Sequence, residues 1–190
     1  MQARSRATRL RLLEAAIDTL IARGHAGAST TEICQRARVS QGALFKHFRS
    51  KRELLAETVE HLFARLIADF EAAFAALPEQ PDRVAAAVRL LRETFAEPRL
   101  LAAFELYTAA RTDEGLRAVL APVMAAHRGN LRRAAERLFP AARRIDVVAD
   151  AVVAAVQGAA LGALVLPEPA AEARSLAWLE EVARQELGDV

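Results

Sequence analysis

A chain of 190 residues, 53% hydrophobic and 26% charged, has enough apolar surface to bury a core, as one domain or as a small domain joined to a larger one. That excludes an intrinsically disordered protein. Its one cysteine, Cys34, excludes an intramolecular disulfide framework and fits a reducing compartment. The net charge of +2 hides a division, because residues 1–52 hold 11 Lys and Arg against 3 Asp and Glu, while residues 53–190 hold 15 against 21.

A basic head on an acidic body suggests a polyanionic partner for the head alone. A solvated charged face would give the same count, so the motifs must decide. The N-terminal run "MQARSRATRLRLLEAAIDTL" is interrupted by Arg11, Glu14 and Asp18 and lacks a compact apolar stretch, so it does not read as a signal peptide. Ala151 to Leu166, the most membrane-like stretch, is rich in alanine, contains Gln157 and is short for a bilayer span. The expectation is a soluble, cytoplasmic protein with no membrane partner.

Apolar residues recur at helical spacing throughout, and no alternating run suggests a strand. Leu13, Ala16, Ile17, Leu20 and Ile21 form the stripe of a first helix that stops at Gly24. Ser29 with Glu32, and Ser50 with Glu53, have the pattern of capping boxes. They place a second helix from Ser29 to about Ala37 and start a long fourth helix at Ser50. Between them Ser40 opens a third helix through Phe48. Leu54, Leu55, Val59, Leu62, Phe63, Leu66, Ile67 and Phe70 mark the apolar side of the fourth, which Pro78 and Pro81 end. Asp82 caps a fifth to about Ala96, and Pro98 begins a sixth running to Arg111. A longer seventh starts at Thr112 or Asp113, and Pro122 should kink or interrupt it. An eighth at about 143–166 and a ninth at 170–187 complete an all-α chain of about nine helices.

Two short helices around "VSQG" form a helix-turn-helix, whose second helix can lie in the DNA major groove. Ser40 leaves the first amides of that helix near phosphate. Gln41 is placed to pair bidentately with adenine N6 and N7, and Ala43 to meet a thymine methyl. Gly42 permits close approach of the backbone. Lys46 and His47 follow at the far end, and Lys51 is placed to meet the phosphate strand.

Ser29 to Leu54 closely resembles the DNA-binding segment of TetR-family transcriptional regulators: a capped second helix with Ile33 and Ala37 in its core, "VS" at the turn, Leu44, an aromatic residue, His47-Phe48 and Lys51. The resemblance covers residues 8–58 and implies DNA contacts from Thr30, Thr31, Gln41, Gly42, Ala43, Phe45, Lys46, His47 and Lys51. The family usually has Tyr where this chain has Phe45, whose ring offers only apolar contact. It favours Gly where Arg38 stands, so Arg38 either carries strain on the order of 1 kcal/mol or sits in a slightly different turn, and a phosphate contact from its side chain is a further option. His47 is a phosphate contact or a packing histidine. Cys34 reads as a small core residue, and Arg4, Arg6 and Arg9 as a minor-groove arm or a frayed terminus.

The resemblance divides the chain into a three-helix DNA-binding domain at 1–50 and a larger helical ligand-binding and dimerisation domain at 51–190. It implies a homodimer on a palindromic operator, released by a small-molecule effector. Gly158 and Gly162, amid Val152, Val156 and Ala159, offer a close-packing helix face for that dimer. Candidate effector-lining residues are Phe63, Phe104, Tyr107, Arg111, Met124, His127 and Trp178. No cofactor or metal is expected. Two other readings are a protein that coats DNA without sequence preference and a helical-bundle enzyme. For the enzyme, the Glu-x-x-His metal motif fails, because Thr58 and Met124 stand three residues before His61 and His127.

Overall fold

The computed structural model describes residues 2–77 and 82–188, and all regular elements among them are helical. In chain order they are α1 (Gln2–Gly27), α2 (Thr30–Ala37), α3 (Gln41–Phe45), α4 (Lys51–Ala75), α5 (Arg83–Phe95), α6 (Pro98–Ala110), α7 (Glu114–Leu138), α8 (Ile145–Ala163) and α9 (Pro169–Leu187). The expected roles of Pro78 and Pro81 lie outside the described residues.

Side-chain caps set several of these starts. The Ser29 and Ser40 hydroxyls accept the backbone N–H of Glu32 and of Ala43, each at 3.1 Å. Ser50 accepts from the Glu53 N–H at 3.1 Å, while the Glu53 carboxylate reaches back to the Arg49 N–H. Asp82 and Asp113 accept from the Ala85 and Leu116 N–H at 2.8 and 2.9 Å. Each cap satisfies an amide that the first turn leaves without a helical partner.

Three expectations need correction. Of the two effects expected of Pro122, interruption does not occur, since α7 continues through it. Ile21 lies off the packed stripe of α1 and is exposed. The third helix ends at Phe45, and a tight turn in which the His47 and Phe48 N–H groups both bond to the Leu44 carbonyl drives Phe48 inward. The expected stop at Gly24 takes the form of a break inside α1. Gly24 has φ 65° and ψ 177°, a conformation open essentially to glycine. The Glu105 carboxylate of α6 accepts the next N–H, from His25, at 2.7 Å.

The chain packs as two compact units. The first comprises Met1–Ala64 and Pro98–His127, the second Arg65–Glu97 and Arg128–Val190. α1 packs on α6 as well as on α2, so the compact body around the N-terminal helices takes in later segments of the chain. In the first unit, Leu12, Leu13, Ala15 and Ala16 of α1 meet Ile33, Cys34 and Ala37 of α2, together with Leu44, Phe48 and Leu54. In the second, α5 packs on α8 and α9 around Phe74, Val84, Ala86, Phe139, Val148, Ala183 and Leu187.

Candidate nucleic-acid interface

The helix-turn-helix is built on its buried face. Ile33 and Leu44 are fully buried, and Phe48 nearly so, which fixes α2, α3 and the start of α4 as one body. Cys34 belongs to that core, where burial raises its thiol pKa. It is a packing residue, as its size suggested. Between the helices Arg38 sits at φ 54° and ψ 48°, with its N–H shared by the Cys34 and Gln35 carbonyls. The position has the left-handed geometry that the sequence pattern implied, so a residue carrying Cβ occupies a site suited to glycine.

The opposite face is polar and open. Gln41, Gly42, Lys46 and Thr31 are exposed, and Thr30, Ala43, His47 and Lys51 are half-buried. Phe45 is 50% exposed, an apolar ring on an otherwise polar surface. The structure places the expected contact residues on the two capped helices, in the turn that follows α3 (Lys46 and His47) and at the start of α4. Gly42 has no role inside the chain that requires glycine. A Cβ there would approach only the Ser40 hydroxyl, at 3.9 Å.

One contact was not legible in the sequence: the Gln41 Nε2 donates to the Thr31 Oγ1 at 2.7 Å. A spacing of ten residues carries no helical or strand signal, and only the angle between α2 and α3 brings the two side chains together. The basic terminus also differs from expectation. α1 is helical from Gln2, so Arg4, Arg6 and Arg9 do not form an extended arm. Arg9 pairs with Glu57 of α4 and lies 5.5 Å from the centre of the Phe48 ring, a cation–π contact that anchors α1 beside the end of α3.

Around the start of α4 the charges are coupled. Burial lowers the Lys51 pKa. His25 is also lowered, first by burial and then by the Lys51 ammonium, against the opposing pull of Glu105 and Asp113. Arg52 pairs with Asp113 at 3.1 Å. His61 meets Glu14 at 2.7 Å, a further tie between α1 and α4.

Among the expected effector residues, Phe63 of α4 stacks on His127 of α7 with ring centres 3.8 Å apart and planes 14° apart. Phe104 and Tyr107 of α6 meet at 5.5 Å, and burial raises the Tyr107 phenol. The His127 Nδ1 is buried without a hydrogen-bond partner, and burial lowers its pKa to about 4. Met124 is half-buried and Arg111 exposed. Trp178 requires correction: the residue is 67% exposed, because the inward stripe of α9 is Leu179, Ala183 and Leu187 and position 178 falls beside it.

The expected self-association face is corrected in one residue. Val156 is 1% exposed, since it continues the inward stripe of Val148 and half-buried Val152 and is committed to the chain's own packing. Ala159 is half-buried, and Gly158 and Gly162 lie on the open side. Near them stand Leu161, Leu164, Leu166 and the 90% exposed Val165, apolar residues whose exposure the sequence did not reveal. Taken whole, α8, which begins six residues before the stretch 151–166, is long and apolar enough to cross a membrane by length and composition, with mean hydropathy 1.6. Here Asp150 pairs with Arg132 of α7 at 2.5 Å, and Val148 packs in the core of the second unit.

Residues 12–58 match the family described as bacterial regulatory proteins, tetR family. An uncharacterized HTH-type transcriptional regulator of Mycobacterium tuberculosis is 35% identical over 183 residues, covering 94% of this chain and 93% of its own. The solved structure of a TetR-family transcriptional regulator from Pectobacterium atrosepticum has the same fold, with a TM-score of 0.74 at 23% identity over 98% of this chain and 97% of that one. The multidrug binding protein EbrR, solved in complex with imidazole, superposes with a TM-score of 0.69 at 26% identity, covering 95% and 94%.

Proposed function

Because the chain belongs to the TetR family and is therefore a DNA-binding transcriptional regulator, we propose that it is a cytoplasmic homodimeric repressor of a palindromic operator, released by a small molecule. Residues 1–50 carry DNA recognition, and residues 51–190 carry effector binding and dimerisation. The observation that carries this reading is the open face of α3. There a bare Gly42, an amide at Gln41 and an exposed aromatic at Phe45 lie on a helix whose other side is locked in the core, with a cation at Lys46 directly after it.

Each part has a chemical task. Gln41 reads a base edge, Gly42 lets the backbone approach, and Ala43 and Phe45 make apolar contacts in the groove. Thr30, Lys46, His47 and Lys51 hold phosphates and set register. One short recognition helix distinguishes only a few base pairs, so two copies related by a two-fold axis are needed to specify an operator. The open face of α8 around Gly158 and Gly162, with Ala159 and Leu161, is the surface for that pairing.

The small molecule binds among Phe63, Phe104, Tyr107, Met124 and His127. Its effect on DNA affinity requires tighter binding to one arrangement of α4 than to the other. Converting a 1:99 population to 99:1 takes about 5.5 kcal/mol of such preference.

The test is selection of bound fragments from the source genome by the purified protein at about physiological salt, followed by a salt series on the recovered sites. A few palindromic sites are expected. In that assay Gln41→Ala relaxes sequence preference, whereas Lys51→Ala weakens all sites alike and reduces the salt slope. Uniform recovery of fragments would replace this reading with DNA coating without sequence preference.

A further inference from the structure

We infer that Thr31 is a positioning residue for base recognition, holding the Gln41 amide in its reading orientation before DNA arrives. The inference rests on the proposed base-reading role of Gln41 and adds what determines its selectivity. It stands on one contact: the Gln41 Nε2 donates to the Thr31 Oγ1 at 2.7 Å. Both residues lie in the first turns of capped helices, Thr31 after Ser29 and Gln41 after Ser40. The two caps and the shared core of Ile33, Ala37 and Leu44 set the angle that brings the side chains together.

The chemistry follows from the donors each group has left. A primary amide carries two N–H bonds, and Thr31 takes one of them. The other N–H and the Oε1 carbonyl remain to face outward as a donor–acceptor pair. Adenine presents the complement in the major groove, an N6 donor beside an N7 acceptor. Guanine offers two acceptors there, cytosine a donor, and thymine an acceptor beside a methyl group. A glutamine free to rotate could turn its amide to suit any of them. Tethered, it keeps one arrangement and favours adenine. The Thr31 hydroxyl, accepting from Gln41, still has its own proton to donate. A phosphate oxygen is the acceptor that the docked duplex supplies, so one hydroxyl would link backbone docking to base reading.

The experiment is in vitro selection from a randomised duplex library with the full-length protein and three variants, Gln41→Ala, Thr31→Val and Thr31→Ser. Wild-type protein should select adenine at one position of each half-site, and Gln41→Ala should erase that preference alone. Thr31→Val keeps the shape without the hydroxyl and should reduce the same preference by about tenfold, within the range of one bidentate contact. Thr31→Ser restores the hydroxyl and should restore the preference.

A profile altered by Gln41→Ala but unchanged by Thr31→Val, with affinity lowered equally for all sites, would overturn the positioning role and leave Thr31 a phosphate contact. A profile unchanged by Gln41→Ala would overturn both the base-reading role and the inference built on it.

Discussion

Gly42 separates the demands of folding from those of binding at a single residue. Glycine inside a helix destabilises by roughly 0.5–1 kcal/mol relative to alanine, and nothing within the chain blocks a Cβ at this position. The expected outcome for Gly42→Ala is therefore a protein as stable as wild type, or more stable by about 0.5 kcal/mol, whose affinity for its selected DNA sites falls about tenfold or more. Urea unfolding and a DNA-binding titration measure the two effects separately. Full DNA affinity in the variant would remove close backbone approach from the recognition scheme. Gly24 presents the contrary case. With φ 65° and Glu105 Oε2 only 2.8 Å from where a Cβ would stand, its glycine is required by the fold itself.

At the scale of the elements, α3 is too short to be stable by its own hydrogen bonds, since isolated helices of this length do not persist in water. It exists because Ser40 caps it and Leu44 and Phe48 are buried beneath it. The sequence disclosed the cap and the stripe but overran the end by three residues, because the helical turn and the tighter turn after it bury the same apolar positions. The stacking of Phe63 of α4 on His127 of α7 has a consequence for stability. Burial holds the His127 pKa at about 4, below the ordinary histidine value. Between about pH 6.5 and 4 the unfolded chain therefore takes up this proton before the folded chain does. Stability should fall as pH drops through that window, by about 3 kcal/mol at most from this group. His127→Phe preserves the stacked ring and removes the titration, so its unfolding free energy should decline less than wild type between pH 7 and 4. Parallel pH profiles for the two proteins would refute the assignment.

At the scale of the whole molecule, the open side of α8 makes the dimer testable without disturbing the protomer. A Cβ at Gly158 or Gly162 meets nothing within 4 Å, so leucines at both positions have room in the isolated chain. The double variant Gly158→Leu, Gly162→Leu should sediment as a monomer with an unchanged helical circular dichroism spectrum. Its affinity for a full palindrome should drop to about that for a half-site. A dimer with wild-type stability would move the interface away from this face.

Much of the chain was legible because its local chemistry is explicit. Ser29, Ser40, Ser50, Asp82 and Asp113 mark helix starts by satisfying unpaired amides, and the apolar stripes of α1 and α4 repeat at helical spacing. By itself the sequence determined the helix order, the helix-turn-helix and the basic N-terminal segment, since each is written in residues near one another along the chain. Tertiary structure alone decided the rest. It brought Gln41 to Thr31, Arg9 to Phe48 and Glu57, and His127 to Phe63, and it turned Val156 inward while leaving Val165 and Trp178 outside. Those outcomes depend on the rotation and crossing of helices distant in sequence. A periodic pattern fixes which residues share a stripe, whereas the helices packed against it fix which residues beside that stripe are covered.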